Sequence, residues 1–256
     1  MPENYPLTPA HRLKLAAAFR YCPRVDTAIE CALEGQLGRA LVDDPHEPTA
    51  FAITIGPFWY FAGEPNSAGG AALMRSLPAY ALLMPSTAGW FERAQAEFGA
   101  ALRSHQRFSF NPDQLAVAHL EALLARSRHN RKAMAIDTSL IARLTSDADA
   151  PLDVSDFESV ADFLERSFGY TLLIDETPAG IAYGSLVNSR GLEVSVFIAE
   201  PYRRQGIATV LAGRLVLECL HRGLRPNWDA ANPESCALAE KLGYTPTGSY
   251  VAAHHG

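Results

Sequence analysis

Residues 192–208 read LEVSVFIAEPYRRQGIA, and the rest of the chain is organised around them. The run Glu193-Val194-Ser195-Val196-Phe197-Ile198 alternates and is rich in β-branched side chains, which predicts a half-buried strand. Pro201 has no N–H to give to a ladder and stops it. Arg203-Arg204-Gln205-Gly206-Ile207-Ala208 then leads into an apolar helical pattern over residues 209–222. A strand, a tight turn with a small residue and a helix together make an anion site. The first N–H groups of the helix have no internal partner, and the helix dipole adds to their pull on negative charge. Gly206 and Ala208 let a diphosphate approach the main chain, which would meet it from Arg204 to Thr209. Arg203 and Arg204 supply positive charge. The stretch is neither a P-loop, which needs a Lys-Ser/Thr pair after the glycine, nor a G-x-G-x-x-G turn.

The spacing R-x-x-G-x-A after a short strand resembles the acetyl-CoA signature of the GNAT N-acetyltransferase superfamily, Q/R-x-x-G-x-G/A. The same six residues also suit a plain basic turn before a surface helix, and residues 223–244, GLRPNWDAANPESCALAEKLGY, weigh against that. They contain a strand at 225–230, then Asn232, a short helix at 233–242 and Gly243-Tyr244. This is the superfamily's order after its cofactor helix. The wording Pro226-x-Trp228-Asp229-x-x-Asn232-x-x-Ser235, followed by Leu238-Ala239-Glu240-Lys241-Leu242-Gly243, is similar to a bacterial GNAT branch related to antibiotic self-resistance acetyltransferases. The close resemblance covers about residues 170–250.

The bulk numbers fit such a protein. A chain of 256 residues has room for one large domain or two ordinary ones. With 48% hydrophobic and 20% charged residues it is globular rather than disordered. A net charge of −6 without a Lys/Arg block argues against nucleic-acid or anionic-membrane partners. The start MPENYPLTPAHR lacks a basic-then-apolar signal and no apolar run approaches ~18 residues, so a cytoplasmic location is expected. Cys22, Cys31, Cys219 and Cys236 lack C-x-x-C spacing and read as buried thiols, with no disulfide or metal site expected.

Taken in order, residues 8–34 carry helical spacing broken at Cys22-Pro23 and ended by Gly35. Strands are expected at 37–42, 50–55 and 58–62, a helix at 71–77, a strand at 80–84, a helix at 87–98 and a strand at 106–110. This is the element order of a GNAT half, but no R-x-x-G-x-A precedes the helix at 71. A degenerate copy without a cofactor and a generic α+β domain both fit. A helix over 113–126 and the basic run Ser-Arg-His-Asn-Arg-Lys at 127–132 read as the connection. That run suits a solvated helix end, or contact with an acidic substrate or a cofactor phosphate. Then come a helical segment at 138–144, an acidic loop at 147–153 and an amphipathic helix at 155–168. Strands follow at 170–175 and 180–187, turned by residues 176–179. The strand from Leu192 is third in this meander, and the helix over 206–222 ends at Gly223. The expected fold is thus α/β (α+β), with a mixed, mostly antiparallel GNAT-type sheet flanked by helices. Residues 1–126 would form an N-terminal α+β domain and residues 127–256 the acetyl-CoA-binding catalytic domain.

Acetyl transfer to an amine requires a held cofactor, a neutral amine and a stabilised thiolate. The resemblance implies that main-chain groups of Val196, Phe197 and Ile198 pair with the pantetheine arm, and that Asn232 contacts it. Asn232 also reads as a plain N-cap. Glu193, at the start of the strand, is the candidate base and Asp229 the alternative. Many superfamily members carry a Tyr seven residues after the Asn to protonate the thiolate, and that position here is Ala239. The nearby hydroxyls are Ser235 and Tyr244, the latter reading as a core residue. A Cys236 acyl intermediate is weakly motivated, because no His is near it in sequence. The implied activity is an acetyl-CoA-dependent N-acetyltransferase acting on a small-molecule amine by direct attack. An acyl-CoA-binding sensor without catalysis, and a protein- or aminoacyl-directed acetyltransferase, are the other readings. A homodimer is left open.

Overall fold

A computed structural model describes residues 2–20, 27–84, 87–145, 152–154 and 157–256. The expected break at Cys22-Pro23, the beginning of the helix expected from Ser155 and most of the acidic loop lie outside the described residues.

The chain forms two units, residues 1–107 with 250–256, and residues 108–249. In the first, β1 (Glu3–Asn4) precedes α1 (Pro9–Phe19) and α2 (Thr27–Glu34). A meander follows, β2 (Arg39–Val42), β3 (Ala50–Ile55) and β4 (Phe58–Gly63), in register Leu41↔Ala52 and Ile53↔Tyr60. All six residues of β3 are buried, because both faces of the sheet are covered. The crossover helix α3 (Ala68–Arg75) returns the chain to β5 (Leu82–Met84), parallel to β4 with Trp59 opposite Leu83. Then come α4 (Ala88–Phe98) and β6 (Leu102–Asn111). Phe61 and Trp90, ring centroids 5.0 Å apart, centre a core with Leu73, Met74 and Leu83.

The second unit contains α5 (Val117–Ala125), β7 (Met134–Ala135), α6 (Thr138–Leu144) and α7 (Val160–Arg166). Its meander is β8 (Gly169–Ile174), β9 (Thr177–Asn188) and β10 (Gly191–Ile198). The crossover helix α8 (Ile207–His221) leads to β11 (Arg225–Asn227), parallel to β10. The chain continues through β12 (Asp229–Ala230), α9 (Pro233–Leu242) and β13 (Thr245–His255). From the meander onward each half therefore runs antiparallel meander, crossover helix, parallel strand, helix, strand, with two helices ahead of the meander in the first and α5, β7, α6 and α7 ahead of it in the second. The strand pairings, and not only the element order, repeat.

Three expectations need correction. The boundary lies at residue 107 rather than 126. Leu120 of α5 is buried in the same cluster as Leu211, Leu215 and Val216 of α8, with Leu123 packed against it, so this helix packs with the second unit. Gly213 allows that approach, since a Cβ there would lie 3.3 Å from Leu124. The turn after β8 is two residues long, Asp175 and Glu176, at φ 49° and 64°. Left-handed residues at both positions match the twist of a tight hairpin, so Thr177 and Pro178 join the ladder instead of the turn. Among the described residues the amphipathic segment after Ser155 is helical only from Val160. Ser159 caps it by accepting from the Asp162 N–H at 3.1 Å, and Phe157, ahead of the helix, packs edge-on against Phe163.

Candidate active site

The site begins where two strands part. β10 pairs with β9 along its length, from Gly191↔Asn188 to Ile198↔Gly180. On its other side it pairs with β11 only at Gly191↔Arg225, Leu192↔Pro226 and Glu193↔Asn227. After Trp228 the chain turns away, and β12 pairs with β6 through Asp229↔Ser109 and Ala230↔Phe108. Among the described residues the edge of β10 beyond Glu193 therefore has no strand partner on that side.

Which main-chain groups face the gap follows from the alternation of an antiparallel ladder. The Ala199 N–H donates to the Ala179 carbonyl at 3.1 Å, so Ala199 and Phe197 turn their main chain toward β9. Val194, Val196 and Ile198 turn theirs toward the gap. Of the three residues expected to pair with a pantetheine arm, Phe197 has its main chain committed to β9, and its side chain is 40% exposed. The Ile198 carbonyl accepts from Arg203 Nε at 3.2 Å, which leaves Val196 and the Ile198 N–H.

The turn into α8 is built by left-handed residues. Arg204 has φ 61° and Gly206 φ 82°, and the first bond closing the helix runs from the Val210 N–H to the Gly206 carbonyl at 3.3 Å. The N–H groups of Ile207, Ala208 and Thr209 precede that bond and so have no intrahelical acceptor. Ile207 is buried and anchors the helix start, whereas a Cβ on Gly206 would meet nothing within 4 Å. That open space beside unpaired donors is what a diphosphate needs. Arg203 and Arg204 are both exposed; Arg203 Nε folds back onto the Ile198 carbonyl and Gln205 Nε2 donates to the Pro201 carbonyl at 3.1 Å.

The basic run at 127–132 is held against the same turn. Arg214 of α8 donates to Asn130 from Nε to Oδ1 at 3.0 Å and from Nη2 to the carbonyl at 2.8 Å. The His129 ring, 7% exposed, accepts from Arg128 Nε at 3.2 Å through Nε2 and lies against the Gln205 main chain. Burial, followed by the charges of Arg128 and Lys132, pushes its pKa down, so the ring is neutral at pH 7. The sequence suited this run to a solvated helix end or to contact with an acidic substrate or cofactor phosphate, and did not show its anchoring, because Arg214 and Gln205 lie about eighty residues away in the chain.

The candidate base and its alternative come together at the parting point. A β-bulge between Leu192 and Val194 sets Glu193 there. Glu193 Oε1 accepts from the Asp229 N–H at 3.0 Å, and Oε2 accepts from Asn227 Nδ2. Asn227 carried no signal in the sequence. Ser235 Oγ accepts from Trp228 Nε1 at 3.1 Å, and the Ser235 N–H donates to Asn232 Oδ1 at 2.9 Å. Asn232 is thus the N-cap of α9, and Ser235 stands one turn in with its own proton free to orient.

The other hydroxyl and the thiols are placed differently. Tyr244, 3% exposed, donates to the Pro226 carbonyl at 3.2 Å, and burial raises its pKa well above that of a free phenol. Burial pushes the Cys219 thiol up to about 12. Burial and then Glu240 raise the thiol of Cys236. A thiol held protonated is a poor nucleophile. Among the described residues no group of three His, Cys, Asp or Glu is placed to hold a metal ion, and no helix is long and apolar enough to cross a membrane.

Comparison with known proteins agrees with this geometry. A crystal structure of a GCN5-related N-acetyltransferase-like protein from Streptococcus suis 89/1591 is 28% identical, with a TM-score of 0.86 over 96% of this chain and 98% of that one. A GCN5-related N-acetyltransferase from Sphaerobacter thermophilus shares the fold at 15% identity, with a TM-score of 0.60 over 98% of this chain and 94% of that one. A tandem GNAT protein from the clavulanic acid biosynthesis pathway shares the fold at 11% identity, with a TM-score of 0.56 over 99% and 98%. In sequence, 102 residues are 28% identical to an uncharacterized N-acetyltransferase, YdfB, of Bacillus subtilis (strain 168). That match spans 39% of this chain and 39% of that protein's length. The family model described as GNAT acetyltransferase matches residues 19–253. The matched span takes in both units, so the chain as a whole, and not its second half alone, belongs to the GNAT acetyltransferase family, a family of acyl-transferring enzymes.

Proposed function

We propose that this protein transfers an acetyl group from acetyl-CoA to the amine of a small molecule by direct attack. The observation that carries the reading is the parting of β10 from β11 after Glu193↔Asn227, with the turn at Gly206 and the start of α8 beyond it. The residues fit the cofactor. A pantetheine amide is a strand-like partner for Val196 and the Ile198 N–H, and the diphosphate has the space at Gly206 and the N–H groups of Ile207 to Thr209. Arg203 and Arg204 add exposed positive charge. When bound, acetyl-CoA supplies the activated acyl carbon and a thiolate leaving group.

The chain's own residues then have two tasks. Glu193 and Asp229 put carboxylates where β10 and β11 part, which favours approach of an ammonium, and Asp229 is the carboxylate that would take its proton, directly or through water. Ser235, with Trp228 donating to its oxygen, can give its hydroxyl proton toward the cleft, directly or through water. Ala239 and the committed, buried Tyr244 favour one other reading, an acyl-CoA-binding sensor that does not turn over.

Isothermal titration with acetyl-CoA, beside Gly206→Glu, tests the reading. Wild type is expected to bind in the micromolar range and the variant not at all, because a carboxylate would enter the diphosphate's place. CoA release on adding small amines then separates enzyme from sensor. Equal binding by wild type and variant would refute the cradle, and binding without release under any amine would favour the sensor.

A further inference from the structure

Pairing between β10 and β11 stops at Glu193↔Asn227, and the residue at which it stops is the one whose side chain reaches across. In a continuing parallel ladder the next N–H on the opposing strand would be taken by a main-chain carbonyl of β10. Here the Asp229 N–H is taken by Glu193 Oε1, at 3.0 Å. A side chain stands in for the main chain, so the two backbones are held apart by its length. The other carboxylate oxygen accepts from Asn227 Nδ2, one residue before Trp228. The far side of the same segment is fixed by Asp229↔Ser109 and Ala230↔Phe108, so it cannot close toward β10 or drift from it without losing bonds. The bulge at Glu193 turns the side chain into this position.

We propose that Glu193 is the clasp that sets the opening between β10 and residues 227–230, a positioning residue for the cofactor cleft rather than the base that deprotonates the acceptor. This rests on reading the cleft as an acetyl-CoA site. Both oxygens accept from donors held by the fold, and protonating the carboxylate would cost those charge-assisted bonds, so the arrangement works against its use as a base. A glutamine can keep the clasp: its Oε1 accepts from Asp229, and its Nε2 donates to Asn227 once that amide turns over. Alanine removes both bonds.

The test reads the clasp with and without ligand. Amide exchange of Asp229, followed by NMR on labelled protein, is expected to speed up by about tenfold or more in Glu193→Ala and to return toward wild type in Glu193→Gln. KM for acetyl-CoA is expected to rise about tenfold or more in Glu193→Ala and several-fold in Asn227→Ala. Glu193→Gln should rescue KM relative to alanine and keep the acidic limb of the kcat–pH profile. Two results would overturn the proposal. One is Asp229 exchange unchanged in Glu193→Ala. The other is a Glu193→Gln variant with KM unchanged, kcat down about a hundredfold or more and the acidic limb gone, which marks a general base. A wild type that neither binds nor turns over acetyl-CoA would refute the proposed function, while the exchange measurements would still decide the clasp.

Discussion

Tyr244→Phe separates two roles that a hydroxyl near the cleft can have. Tyr244 donates to the Pro226 carbonyl at 3.2 Å from a fully buried position, and Pro226 lies in β11, one residue before the end of its pairing with β10. The ring packs against Trp228 at 5.3 Å and would stay. Removing the hydroxyl alone leaves the Pro226 carbonyl without that donor, a loss of about 1–2 kcal/mol. For a chain of this size that corresponds to a melting temperature lower by about 2–8 °C. Burial raises the phenol's pKa, so its neutral form is the one the fold favours. That stabilisation is complete below the ordinary phenol pKa and falls away only as pH rises above it, so the effect at pH 7 carries no pH dependence of its own. The assay pairs thermal melts with kcat for CoA release at saturating acetyl-CoA. A structural brace lowers the melting temperature and leaves kcat within about threefold. A melting temperature equal to wild type with kcat down about a hundredfold would refute the reasoning and make Tyr244 the proton donor.

Two further predictions follow from single environments. Cys236 is half buried with its thiol pKa raised, so Cys236→Ala should keep full amine-dependent CoA release, and no acetylated cysteine should be trapped by mass spectrometry after mixing with acetyl-CoA. A variant that loses turnover but still binds would restore the acyl-cysteine route. Asp43 is desolvated, yet hydrogen bonds from the Thr49 side chain and from the N–H groups of Ala50 and Thr49 outweigh that and hold its carboxyl below the usual value. Its contribution is present above the ordinary carboxylate pKa and lost as pH falls through the folded value. Asp43→Ala should therefore melt lower than wild type at pH 7, with the gap narrowing as the buffer is acidified. A gap that stays constant with pH would mean the carboxylate's charge is not what stabilises.

The features legible in the sequence are those carried by local chemistry. The ends of α9 are marked by Asn232, Pro233 and Gly243, and the structure caps the helix as marked, with Gly243 at φ 106°. The strand–turn–helix at residues 191–221 is legible for the same reason, since alternation, Pro201 and Gly206 are each local signals. The register is not. Which of Val196, Phe197 and Ile198 turns its main chain to the gap depends on pairing with β9, a contact that composition does not encode. Nor could the sequence show that Asn227 and Asp229 converge on Glu193, because those bonds join residues 34 and 36 positions apart. The boundary at residue 107 was hidden for a similar reason: α5 is defined by what it packs against, not by its own pattern.

Repetition of one topology raises the question of why the cradle belongs to the second half, and the answer lies in the first turn of each crossover helix. Before α8 stands a left-handed glycine with open space beside it. Before α3 stands Ser67, whose Oγ accepts from the Gly70 N–H at 2.8 Å and so uses one of the donors an anion would need. The carboxylate of Asp43 lies where a side chain on Gly69 would go, so a negative charge of the protein's own already sits by that helix start. The approach loop is pinned as well, with Arg93 donating to the Pro65 carbonyl at 2.8 Å and to Asn66. A diphosphate arriving there would meet a filled cap and a like charge. The helix-terminus donors proposed to meet an anion at Gly206 have their counterpart satisfied internally at Ser67, so one topology repeated twice offers one candidate cofactor site.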